Sequence, residues 1–234
     1  MNAPKEIIHA IESILGILFS DVKHKERAIF ILCDNAVELC CKTKIREKFP
    51  RDNKRKNFYD SLNENNINGE LFNEFDKRHN IRDEMQHEKL NITVGFAQCT
   101  DFIIDLIKLV KLLWGENSLI SLDEWVVGSL KLTYLYSTHG GDKRVKYFEN
   151  CVFSQLDWRE IDSELISITG NGESDETIQI DEFKYIKPKL RKRLPEKYEL
   201  ILPVNKKESL GILIREFSQI LNNVLDELNL EFKI

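Results

Sequence analysis

Apolar and polar positions alternate at helical spacing through the first half of the chain. Ile7, Ile11, Ile14 and Leu18 recur at intervals of four and three, with Ile8 and Leu15 beside them. That stripe predicts a helix over roughly 4–20. A second helix is predicted from Lys25 to Lys48, on Ile29, Leu32, Cys33, Ala36, Leu39, Cys40 and Thr43, and Pro50 stops it. Arg51 to Asn57 and the Asn-rich stretch Asn63 to Gly69 read as loops. Leu71, Phe72 and Phe75 start a third helical region that leads into His79 to Leu90. The fourth helix is predicted to begin near Thr93 as N-cap, and carries Phe96, Cys99, Ile103, Leu106, Val110 and Leu113, widened by Ile107 and Leu112. Gly115 ends it. Four amphipathic helices bury their stripes against one another, so the expected outcome is a bundle.

The second half is mixed. Ser121 to Glu124 is a capping box that opens a helix through Tyr136, although Leu130, Leu132, Tyr134 and Tyr136 also alternate as a strand does. Val145, Phe148, Val152 and Leu156 favour another helix after the break at Gly140-Gly141. Ser163 to Thr169 and Glu176 to Ile180 read as strands joined in a hairpin by Gly170-Asn171-Gly172, and Tyr198 to Val204 as a third strand. Residues 206–228 read as a closing amphipathic helix. The expected fold class is α+β, predominantly α: a helical bundle over 1–118 and a smaller mixed domain over 119–234, with the boundary near Gly115 to Ser121.

At 42% hydrophobic and 31% charged residues, the chain is neither disordered nor membranous, and no segment approaches the ~18 unbroken apolar residues of a membrane span. Met1 to Glu6 does not read as a signal peptide. The five cysteines lack zinc spacing and fit small buried hydrophobes in a reducing cytoplasm. No metal and no cofactor is implied, and neither an ATPase nor a serine-hydrolase motif occurs. The net charge of −5 argues against a protein that coats nucleic acid, yet Lys42 to Lys56 and Lys184 to Lys197 are strongly basic. Lys54, Arg55 and Lys56, together with Arg78, are therefore candidate RNA contacts; the alternative for each basic run is an ordinary solvated face.

The chemistry-bearing segment is His79-Asn80-Ile81-Arg82-Asp83-Glu84-Met85-Gln86-His87-Glu88. Arg82, the polar Asp83, three further residues and His87 together resemble the motif of the HEPN family, and the resemblance covers about residues 5 to 115. It implies an all-helical bundle in which the motif opens a late helix. It also implies a metal-independent endoribonuclease and a two-fold dimer with two motifs lining one cleft. On this reading Arg82 binds the phosphate, since a guanidinium keeps its proton and forks onto oxygens. His87 does acid–base work, since an imidazole exchanges protons near neutral pH. At ~100° per residue the two stand about 140° apart on a regular helix. Asp83, four before His87, shares its face and is expected to orient the imidazole or to raise its pKa.

The resemblance further implies a toxin or antiphage-defence effector, with RNA as substrate and an antitoxin or regulatory protein as a possible partner. The alternative is a non-catalytic module that binds nucleotide, RNA or a protein. A third reading is an adaptor built on an exposed stripe of Leu210, Ile214, Phe217 and Leu221. Glu38 reads as a surface ion pair, and His79 as a capping or surface residue.

Overall fold

The computed structural model describes residues 2–50, 57–87, 92–137, 142–153, 157–160, 165–169, 177–180, 183–186, 199–203 and 205–227. Helices dominate, and short antiparallel strands follow them, so the protein is α+β and predominantly α. Its described elements divide into two compact units. The first combines Met1–Leu18 with Lys23–Leu122, and the second combines Phe19–Val22 with Asp123–Lys233. The break thus falls a few residues beyond the expected 118. The reason lies in a short 3-10 turn, Glu116–Leu119, whose Ser118 carbonyl accepts from the Ala3 amide at 2.9 Å and holds the segment to the first unit.

Among the described residues, five α-helices build the first unit: α1 (Lys5–Leu18), α2 (Glu26–Lys48), α3 (Phe58–Glu64), α4 (Gly69–His87) and α5 (Phe96–Trp114). α1 buries Ile7, Ile11, Ile14, Leu15 and Leu18, the stripe the spacing predicted. α2 packs against α1, α3, α4 and α5. Its buried line runs through Ile29, Cys33, Ala36, Val37, Cys40, Cys41 and Ile45, and it also takes in Asp34. Leu32, Leu39 and Thr43, expected on that line, are half-buried. α5 buries residues around most of its circumference, because neighbours surround it; Leu112, expected on its apolar face, is instead 60% exposed. The N-cap of α5 is Gly95 rather than Thr93, and the Gly95 amide donates to Gln98 Oε1 at 2.8 Å.

Two local readings change. α3 is an unexpected short helix within the loop-rich stretch; Asn57 caps it by accepting from the Asp60 amide at 2.8 Å, and Phe58 and Leu62 anchor it. α4 runs unbroken from Gly69 to His87, so Arg82 and His87 close a helix rather than open one. No Gly or Pro interrupts 70–87, and backbone hydrogen bonds carry the helix on after its apolar residues thin out.

The second unit contains α6 (Glu124–Tyr136), α7 (Asp142–Phe153), β1 (Asp157–Glu160), β2 (Leu165–Thr169), β3 (Thr177–Ile180), β4 (Phe183–Ile186), β5 (Glu199–Pro203), α8 (Lys206–Glu216) and α9 (Ser218–Glu227). The helical reading of 124–136 holds, and the strand-like alternation there is coincidental; Asp123, not Ser121, occupies the N-cap. The hairpin expected between β2 and β3 does not form. β2 sits in the middle of the sheet β1-β2-β5, antiparallel to both neighbours, so neither of its edges is left for β3. β3 pairs with β4 instead, Ile178 opposite Tyr185. Gly170, Asn171 and Gly172 lie outside the described residues. The closing helix is two helices, broken at Phe217, where ψ is 41°. Leu210, Ile214 and Leu221 are buried within this unit, which removes the exposed stripe an adaptor would need. No helix among the described residues is long and apolar enough to cross a membrane.

Candidate functional site

Four polar residues of α4, His79, Arg82, Asp83 and Gln86, fall at i, i+3, i+4 and i+7. That spacing puts them on one face, where a packing helix would ordinarily carry apolar groups. The face meets α2 at Asp34, whose carboxylate is fully buried. A buried carboxylate needs donors that compensate for its lost hydration. Arg82 supplies one, Nε to Asp34 Oδ2 at 2.8 Å. His79 supplies another, with Nδ1 at 3.1 Å from both carboxylate oxygens. Facing an acceptor-only group, Nδ1 can engage it only as a donor, so a proton is assigned to this nitrogen.

Asp83 completes the arrangement from the other side. Its Oδ1 accepts from Arg82 Nη1 at 2.6 Å, and its Oδ2 lies 3.7 Å from His79 Nε2. Gln86 Oε1 accepts from the same Nη1 at 3.2 Å. Two carboxylates therefore alternate with an imidazole and a guanidinium in a closed ring of four side chains. Phe58 of α3 stacks on the His79 ring at 3.8 Å between centroids and 3° between planes, and Tyr59 meets it edge-on at 5.7 Å. The Tyr59 hydroxyl donates to Asn80 Oδ1 at 3.4 Å. Burial, then the carboxylates of Asp76, Asp83 and Asp34, push the Tyr59 phenol above its usual range.

The structure brings Arg82 and Asp83 together but leaves His87 apart. Arg82 is mostly buried, with 14% of its side chain exposed. His87 is exposed at the last position of α4 and makes no hydrogen bond or ion pair among the described residues. Asp83 does not orient His87 as expected, because Arg82 Nη1 and His79 engage its carboxylate. Arg82 retains one nitrogen, Nη2, with no partner among the described residues. Arg27 Nη2, from the start of α2, donates to the Met85 carbonyl and caps the last turn of α4.

Arg78 does not fit an RNA contact. Its guanidinium lies 2.8 Å from Asp105 and 3.2 Å from Glu74, and 4.8 Å from the Phe102 ring centroid. With 10% of the side chain exposed, it works as an internal cation between α4 and α5. Lys54, Arg55 and Lys56 lie outside the described residues. Within the basic run, Lys42 is taken up by Glu38, and Lys44 reaches Glu47 at 3.0 Å beside the Trp114 ring. Glu38 thus forms the ion pair read for it.

Sequence reasoning missed Asp34 and misread His79, which is a buried partner and not a surface residue. The signal for Asp34 was an acid inside an apolar stripe, directly after Cys33. No group of three or more His, Cys, Asp or Glu able to hold a metal ion occurs among the described residues. Comparison of the chain with protein-family models, curated proteins and solved structures gave no match.

Proposed function

We propose that the first unit is a HEPN-type endoribonuclease that cuts RNA without a metal ion, with Arg82 on the scissile phosphate and His87 as proton carrier. The observation that carries this reading is the state of Arg82. Three neighbours hold its Nε and Nη1, while Nη2 keeps its N–H groups unused among the described residues, five positions before an exposed imidazole. A guanidinium fixed on one edge meets an anion with little further ordering. In the step envisaged, the 2′-hydroxyl loses its proton to a base as its oxygen attacks the adjacent phosphorus. The 5′-oxygen leaves and takes up one proton, giving a 2′,3′-cyclic phosphate and a 5′-hydroxyl. An imidazole serves as the base or, protonated, as the acid. Arg82 stabilises the charge that builds on the phosphoryl oxygens.

His87 of a single chain supplies one of these two proton transfers, so the working form is a dimer in which two motifs face one cleft. The second unit positions RNA or answers to a regulatory protein or antitoxin, and its basic Lys184 to Lys197 run suits the former. The role in the cell is that of a toxin or antiphage-defence effector in the cytoplasm. The free, buried thiols of Cys33, Cys40, Cys41 and Cys99 are consistent with a reducing compartment.

A second reading has its own support. Asp34 and Asp83 both lie on Arg82, so the local charge is compensated and attracts phosphate weakly. That favours a non-catalytic module that binds RNA, nucleotide or a protein partner. Incubation of the full chain with a long single-stranded RNA of mixed sequence in EDTA separates the two. Under the nuclease reading the wild type cuts, and His87→Ala lowers the rate by about 10²–10⁴-fold. Arg82→Ala lowers it as well. Undiminished cutting by His87→Ala removes the assignment; binding without cutting by the wild type leaves the second reading.

A further inference from the structure

The His79 ring is held on a face and at both nitrogens, and the reading above gives it no role of its own. One face is stacked on Phe58, and its two nitrogens point toward the two different carboxylates that hold Arg82. Asp34 Oδ2 is shared, 3.1 Å from His79 Nδ1 and 2.8 Å from Arg82 Nε. His79 therefore fixes where that oxygen sits, and the oxygen fixes the plane of the guanidinium.

We infer that His79 is a positioning residue for Arg82: through Asp34 it sets the orientation in which Nη2 is presented to a phosphate oxygen. The inference rests on the proposed nuclease reading for its consequence in catalysis, but the coupling itself is a property of the fold. A carboxylate that receives donors from one side only can rotate about its χ2 bond. A second donor of fixed plane removes that freedom. Phe58 supplies the fixed plane, since the stacked ring cannot turn without opening the contact between α3 and α4. His79 reaches the reacting atoms only through Asp34, which distinguishes it from Arg82 and His87.

Three substitutions in the full chain isolate the donor from the ring. His79→Phe keeps the stack and removes the Nδ1 donor. His79→Asn keeps a donor where Nδ1 stands and loses the ring. His79→Leu has the shape of Asn without the donor, and replaces Phe in the comparison should that variant fail to fold. The first readout is hydrogen exchange at the Arg82 Nε–H, followed by NMR on protein labelled at arginine with nitrogen-15. Loss of the shared donor speeds this exchange by about tenfold in His79→Phe, the effect of one hydrogen bond, and His79→Asn restores most of the protection. The second readout is RNA cutting, where His79→Phe lowers kcat and leaves KM near its wild-type value. Unchanged exchange in His79→Phe or His79→Leu overturns the inference, whatever the RNA assay gives. Faster exchange in a protein whose wild type cuts no RNA overturns the nuclease reading and leaves the coupling standing.

Discussion

Asp34 and Arg82 stand 48 residues apart in the chain and 2.8 Å apart in the fold, Oδ2 against Nε. The carboxylate is fully buried, and the pair, with His79, ties α4 to α2. Removing the acid leaves a guanidinium and an imidazole facing an emptied site. Asp34→Ala is expected to cost about 3–5 kcal/mol, the range for breaking a buried ion pair from one side. Asp34→Asn keeps the shape and an acceptor and costs less. Urea unfolding followed by circular dichroism checks the order; equal stability of wild type and Asp34→Ala would show that the pair contributes nothing net.

Arg78 gives a contrasting outcome. Its guanidinium is tied to Asp105 and Glu74 and lies over Phe102, so its loss registers in stability and not in RNA affinity. Arg78→Ala is expected to destabilise by about 2–4 kcal/mol through the Asp105 charge left behind and the lost packing of the alkyl stem. The salt dependence of RNA binding should stay at its wild-type slope, because no phosphate contact is removed. A shallower slope, with stability unchanged, would return Arg78 to the RNA surface.

Burial sets the pH response of the thiols. Burial, then the Glu38 and Glu26 carboxylates respectively, pushes Cys41 and Cys99 up to about 12 from the ordinary value of 9.0. Cys33 and Cys40 are raised as well, mainly by burial. At neutral pH all four are therefore thiols, and weak nucleophiles. Iodoacetamide at pH 8 is expected to spare these four in the folded chain and label them in urea, as read by peptide mass spectrometry. The linkage has a definite sign. Above pH 9 the unfolded chain sheds thiol protons that the folded chain retains, so stability falls as pH rises from about 9 toward 12 and does not respond to these groups below 9. Cys41→Ala should flatten part of that decline in urea midpoints.

Gly128 in α6 has no room for a side chain. A Cβ there would lie 2.7 Å from Ile214 Cγ2 and 3.1 Å from Asn222 Oδ1, with Asn222 itself held by its Nδ2 bond to the Glu124 carbonyl at 2.7 Å. Gly128→Ala gains helix propensity, but overpacking of this kind costs about 1–3 kcal/mol and wins. A lowered urea midpoint checks it; a raised one would mean that α6, α8 and α9 separate without penalty.

How far the sequence carried the reading depends on the range of the interaction involved. α1, α2 and α5 were legible because their stripes repeat within a few turns, and that periodicity already tells a helix which side to bury. α4 was legible as a helical region but not as one element, because its second half holds few apolar residues and its continuity rests on the backbone. β2 was visible as a strand, but its partners were not. A Gly-Asn-Gly turn invites the next strand, whereas β1 and β5 took both edges of β2.

The candidate site divides in the same way. Arg82, Asp83 and His87 could be read because their spacing is local to a few helical turns. That spacing also set Arg82 and His87 on different sides of α4, as residues five apart must be. Which charge each would meet depended on tertiary structure alone. Asp34 and Phe58 approach α4 only once α2 and α3 pack against it, and a buried carboxylate then draws the nearest donors, His79 and Arg82, out of solvent. The chain by itself determined the helices and the residue types; the packing of three of those helices decided that a histidine and an arginine share one acid, since a charge cut off from water takes whatever partner the fold brings within reach.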